Sequence, residues 1–168
     1  VDECEDPNLN NCPENSQCVN TQGSYDCVCN AGYTQVGKAC YLAPSKAGDL
    51  IVTEIQANPT VVSDSKGEWF EIYNTTGKAL TLNGLTISDQ SGSKHTIDTG
   101  KNPLQVQAYR FFVIGRNQDI QTNGGVVVNY EASFALKNSA DDITLTSVDG
   151  KVIDAVAYDA ELWPTKAG

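Results

Sequence analysis

All six cysteines of this chain lie between Cys4 and Cys40, and none follows. That crowding constrains the fold more than any other feature. A segment of about 40 residues buries too little apolar area to fold unaided and needs covalent or metal staples. Six cysteines within it predict three disulfides and an oxidising compartment. The rest of the 168-residue chain is long enough to enclose its own core, which fits its lack of cysteine. Two separately built units are expected. The spacing C-x7-C-x5-C-x8-C-x-C-x10-C by itself leaves the pairing open.

Charge narrows the partners. The formal net charge is −10, with acids in excess on both sides of Cys40 and the lysines and arginines scattered singly. A field of that sign repels phosphate backbones, which argues against nucleic acid and anionic lipid and favours divalent cations. No apolar run approaches the roughly 20 residues that span a bilayer, so direct membrane insertion is not expected. The chain has no signal-peptide pattern and no methionine, and is expected to be a mature form or an excised fragment.

Within the first forty residues, "VDEC" followed by "CVNTQGSYDCVCNAGY" resembles a calcium-binding EGF-like domain. The resemblance implies the pairs Cys4–Cys18, Cys12–Cys27 and Cys29–Cys40. Calcium is a hard cation that takes six to eight oxygens. A Cys4–Cys18 bridge would gather the acidic pair Asp2 and Glu3 with the Asn20 amide. The family's ligands map onto the Glu3 carboxylate, the Asn20 side chain and the backbone carbonyls of Val1, Thr21 and Ser24. Gly23 would let the chain turn between them, and Tyr25 holds the aromatic position that packs on a neighbouring module. The family motif begins with Asp or Asn just before the position of Val1. With Val1 as the true terminus, an ammonium group would replace that ligand and weaken binding. The plainer reading makes Asp2, Glu3 and Asn20 solvated polar residues on a disulfide scaffold. Gln17 stands where the family's sugar-bearing Ser or Thr would precede the third cysteine, whereas Asn20 fits its β-hydroxylation pattern.

Residues 41–47, "YLAPSKA", read as a short linker between residues 1–40 and 48–168. Beyond Gly48 the pattern changes to short runs rich in Val, Ile, Thr and aromatics, punctuated by Gly-containing turn pairs. The runs predict strands at Leu50–Gln56, Glu68–Asn74, Leu80–Ser88, Lys94–Asp98, Tyr109–Gly115, Val126–Asn129, Ile143–Ser147 and Val152–Tyr158. Asp149-Gly150 should close a hairpin. No stretch predicts an amphipathic helix. The fold class is mainly β, a disulfide-rich module plus an Ig-like β-sandwich. The phrases "LIVTEIQANP", "GEWFEIYNTTGKALTLNGLTISD", "YRFFVIGR" and "FALKNSADDITLTSVDGKVIDAVAYD" resemble the lamin-tail domain in its bacterial and extracellular form. In that family a final strand commonly follows "WP", so the sandwich is expected to lack its closing strand after Pro164.

Catalytic constellations are thin. His95 is the only histidine, and no G-x-S-x-G elbow accompanies it, so it reads as solvated. Glu54, Glu68 and Glu71 invite a glycosidase reading, with Trp69, Glu71 and Tyr73 sharing a strand face fit to stack sugars. The bland reading, a carboxylate bonded to nearby backbone or arginine, is preferred. Zinc lacks ligands. Asp141-Asp142 reads as a turn or the start of a strand. Asn74-Thr75-Thr76 is an N-glycosylation sequon, expected in a surface turn.

These features point to a non-catalytic adhesion or scaffolding segment, secreted or at the cell surface. Calcium would stiffen the first module, and the sandwich would offer a face to a protein or glycan. The alternatives are an accessory module of a larger secreted hydrolase and a subunit that self-associates through an open sheet edge.

Overall fold

The computed structural model describes residues 1–6 and 8–159, and its regular elements are almost all short strands. In the first part β1 (Ser16–Thr21) pairs with β2 (Ser24–Cys29), and β3 (Tyr33–Val36) pairs with β4 (Ala39–Leu42), both antiparallel. The β1–β2 turn places Gly23 at φ 82°, a conformation that glycine alone adopts without steric cost. Disulfides join Cys4 to Cys18, Cys12 to Cys27 and Cys29 to Cys40, with Cα–Cα separations of 5.5, 5.3 and 5.6 Å. These bridges substitute for a core that so short a segment cannot supply.

The segment taken from sequence as a linker is partly structured. Tyr41 and Leu42 are the last residues of β4, and Leu42 packs against the core of the second part. Ala43 is buried and donates its N–H to Gly32 O at 2.8 Å. Asp49 Oδ2 accepts the N–H groups of Ser45 and Lys46 at 2.8 and 2.9 Å. The connection is held at both ends.

The second part is a sandwich of two four-stranded sheets. Its elements are β5 (Leu50–Gln56), a single helical turn α1 (Asp64–Gly67), β6 (Trp69–Asn74), β7 (Leu80–Thr81), β8 (Thr86–Ser88) and β9 (Lys94–Thr96). They continue with β10 (Gln105–Val106), β11 (Phe111–Gly115), β12 (Tyr130–Glu131), β13 (Ala140–Thr146) and β14 (Val152–Asp159). One sheet runs β12-β11-β6-β5, the other β14-β13-β8-β9, and β7 pairs with β10. Phe70 and Ile72 from the first sheet and Ile87, Ile143 and Leu145 from the second are almost fully buried between them. Alternate positions along each strand face this core, as the pleat requires.

In β5 the register with β6 shifts between Val52 and Glu54. This bulge turns the alternation over. Leu50 and Val52 face inward before it, and Ile55 does so after it, opposite Phe70. Glu54 is thereby kept outside, where an inward carboxylate would be costly.

Several expected strands differ from those observed. The run Leu80–Ser88 is two strands, because Asn83-Gly84 breaks it: Gly84 has φ 84°, and buried Asn83 accepts the Leu104 N–H at 2.8 Å through Oδ1. Val126–Asn129 is not a strand. There Asn129 Oδ1 accepts the Val113 N–H at 2.8 Å, a side chain standing in for a backbone carbonyl, and pairing begins at Tyr130. The Asp149-Gly150 hairpin is present, with Gly150 at φ 81° and Ser147 N–H bonded to Lys151 O. The closing strand expected after Pro164 falls outside the described residues.

Candidate metal centre and polar sites of the sandwich

Glu3 precedes Cys4, and Asn20 follows Cys18 by two residues, so one disulfide with a 5.5 Å Cα–Cα span carries both neighbourhoods. Asn20 lies exposed on β1 opposite Tyr25, and Thr21 faces Ser24 across the hairpin turn. Asn10 Nδ2 donates to the Glu3 backbone carbonyl at 3.0 Å. The Glu3 side chain is different: its Oε2 is buried and accepts no hydrogen bond. A buried carboxylate oxygen without a partner is costly, and a cation would satisfy it. The Asn20 amide and the hairpin carbonyls would add only oxygen donors, the chemistry that a hard divalent ion takes.

Asp2 is committed locally. Its Oδ1 accepts the Cys4 N–H at 3.0 Å, and its carbonyl accepts the Glu5 N–H. Val1 is 98% exposed. The Tyr25 hydroxyl accepts the Asn11 N–H at 3.1 Å, a contact inside the module that spacing does not reveal. Among the described residues no three His, Cys, Asp or Glu side chains converge as a metal cluster. The expected set, with one carboxylate, one amide and backbone carbonyls, does not require one.

Asn74 corrects the glycosylation expectation. It is wholly buried, and its Nδ2 donates to Lys78 O, Val106 O and Gln107 O at 2.8, 3.2 and 3.1 Å. Its Oδ1 accepts the N–H and hydroxyl of Thr76. The side chain ties β6 to the following turn, to β10 and to the residue after it, so Asn74 does not lie in the expected surface turn.

The carboxylates separate by face. Glu68 is 2% exposed, and its Oε2 accepts from Arg116 Nη1 at 3.2 Å and from the Leu136 N–H at 3.1 Å. Burial pushes its carboxyl up, while the Leu136 N–H and Arg116 pull it back. Glu71 lies on the outer face directly opposite Glu54, so Glu68 and Glu71 do not flank a common space. Asp141 and Asp142 lie in β13, accepting the N–H groups of Lys137 and Gln90.

His95 is not merely solvated. From β9 its Nδ1 lies 3.1 Å from Ser133 Oγ and its Nε2 3.1 Å from the Tyr130 hydroxyl. Tyr130 belongs to the other sheet, so the ring clasps the two layers. No carboxylate bonds the imidazole among the described residues, and burial alone lowers its ionisation. The Ser–His contact lacks the third member of a hydrolytic triad.

The calcium-binding EGF domain family matches residues 1–40, and the Lamin Tail Domain family matches residues 43–160. Adhesion G protein-coupled receptor E2 of Macaca mulatta is 43% identical over 60 residues, which are 35% of this chain and 7% of the receptor. Adhesion G protein-coupled receptor E5 of Homo sapiens is 42% identical over 60 residues, with the same shares. The matched stretch thus covers less than a tenth of either receptor. The chain belongs to the lamin tail domain family and carries a calcium-binding EGF domain ahead of its sandwich.

Proposed function

We propose that this chain is an extracellular, non-catalytic binding segment of adhesion or scaffolding type, stiffened by calcium and displayed in secreted form or at the cell surface. The observation that carries the reading is the buried, unpartnered Oε2 of Glu3 beside the Cys4–Cys18 bridge. The Glu3 carboxylate, the Asn20 side-chain oxygen and the carbonyls of Val1, Thr21 and Ser24 would hold the ion, with Asp2 adding negative charge. Bound calcium supplies a divalent charge that ties the N-terminal segment to the hairpin. Three disulfides support an oxidising location. The names of the similar receptors support adhesion. The sandwich is read as the part that meets a protein or glycan partner.

Self-association through the β5 edge has an observation against it. β5 is an edge strand, and Asp154 Oδ2 accepts its Val52 N–H at 2.7 Å. A bulged edge covered by a carboxylate resists strand addition.

Calorimetric titration with calcium chloride tests the reading. The wild type should saturate with a Kd of about 10⁻⁴–10⁻³ M, the range of extracellular modules. Glu3→Gln should weaken binding by at least about tenfold, since it removes the one carboxylate ligand of the set. A wild type that shows no saturable heat up to about 10 mM calcium would sink the proposal.

A further inference from the structure

The outer face of the β12-β11-β6-β5 sheet brings together groups that neither half of the sequence shows as a unit. On β6 the outward residues are Trp69, Glu71 and Tyr73, half-buried and alternating with buried Phe70, Ile72 and Asn74. Register places Tyr73 between Phe111 and Ile51, Glu71 between Val113 and Glu54, and Trp69 between Gly115 and Gln56. Phe111 is 58% exposed, and its ring centre lies 4.7 Å from that of Tyr73. The result is an apolar, aromatic surface with two carboxylates across its middle.

Those carboxylates oppose each other directly, an arrangement that destabilises a sheet when both are charged. Neither is neutralised: the ion pairs among the described residues are Arg116–Glu68 and Lys151–Asp149. Thr53 Oγ1 donates to Glu71 Oε1 at 2.9 Å, which orients one carboxylate but leaves its charge. The β5 bulge is what sends Glu54 to this face. A cation placed between the two would remove their repulsion and could also lie against the neighbouring rings.

We propose that this face binds a protein partner presenting an arginine or lysine flanked by apolar groups. The cation sits between Glu54 and Glu71, and the apolar groups lie on Tyr73, Phe111 and Trp69. Charge complementarity selects this partner over a glycan. Sugar hydroxyls could stack and bond here, but they would leave the opposed charges in place. A chain of net charge −10 also draws basic partners by long-range steering. The proposal rests on the reading of the sandwich as a binding module and names its face.

The test is an amide NMR titration of the ¹⁵N-labelled chain with three probes: Ac-Leu-Arg-Leu-NH2, its citrulline counterpart and chitotriose. Citrulline keeps the shape of arginine and loses the charge. The arginine peptide should shift residues 54, 71, 73 and 111 and the Trp69 indole N–H, and bind about tenfold more tightly than the citrulline peptide. The double variant Glu54→Gln with Glu71→Gln should lose that difference and keep an otherwise unchanged spectrum. Equal response to both peptides, shifts confined to other regions, or no shifts would each overturn the proposal. Chitotriose shifting these resonances where the arginine peptide does not would overturn it while leaving the binding-module reading intact. Calcium binding at Glu3 is read on separate resonances, so the two ideas fail separately.

Discussion

Asn74 shows how one side chain can organise three segments. Phe70 and Ile72 share its phase on β6 and face the core, and Asn74 fills the last inward position with an amide in place of a hydrocarbon. Three of its hydrogen bonds go to the carbonyls of Lys78, Val106 and Gln107, and its Oδ1 accepts the N–H and hydroxyl of Thr76. Asn74→Ala would remove the buried bond to Val106 O and the links to Lys78 and Gln107, and should cost about 2–4 kcal/mol in urea denaturation. Intact-mass analysis of the folded protein from a glycosylating host should find no N-glycan at Asn74. The sequon misleads because three residues encode an enzyme's recognition pattern and say nothing about burial. The signal that does encode it was legible in the period-two alternation of "WFEIYN". Glu68 was legible in kind, as a carboxylate bonded to arginine and backbone, but its partners Arg116 and Leu136 lie far along the chain and spacing could not name them.

At the scale of elements, most strands were legible, since β-branched runs between turn pairs announce them. Two errors share one cause. Asparagine side chains replace backbone partners at Asn83 and Asn129, and a hydropathy pattern cannot see such substitutions. The clasp between β9 and β12 was hidden as well, because His95 meets Tyr130 and Ser133 only once the sheets are stacked. It has a pH signature. Burial lowers the His95 ionisation below its ordinary value near 6.5, so the unfolded chain takes up the proton first as pH falls. The contribution of His95 to stability is therefore complete above about pH 6.5 and declines below it until the folded imidazole also protonates. Glu131 and Arg116 line the same surface hollow as His95 and Ser133. His95→Phe should lose about 1 kcal/mol at pH near 7.5 through its missing hydrogen bonds. Urea unfolding repeated near pH 5 should show a smaller acid-side loss in the variant than in the wild type, and an equal loss would remove His95 from the account.

Across the whole molecule the two parts meet through a packed seam. Thr34 and Val148 close around Gly84, and Gly37 lies against Lys101, where an added Cβ would come within 3.2 Å of the Lys101 carbonyl oxygen. Leu42 reaches the sandwich core. The candidate ligands were legible because a short motif and the cysteine pattern carry them. What sequence hid was the use of each oxygen: Asp2 caps its own turn, and Glu3 keeps a buried carboxylate oxygen without a partner. Residue-resolved NMR during calcium addition tests this distinction most directly. Saturable shifts should gather at residues 1–4 and 18–25, and Glu3→Gln should move their midpoint to at least about tenfold higher calcium, with a smaller change for Asp2→Asn. Shifts that spare this hairpin, or that keep their midpoint in Glu3→Gln, would contradict the account.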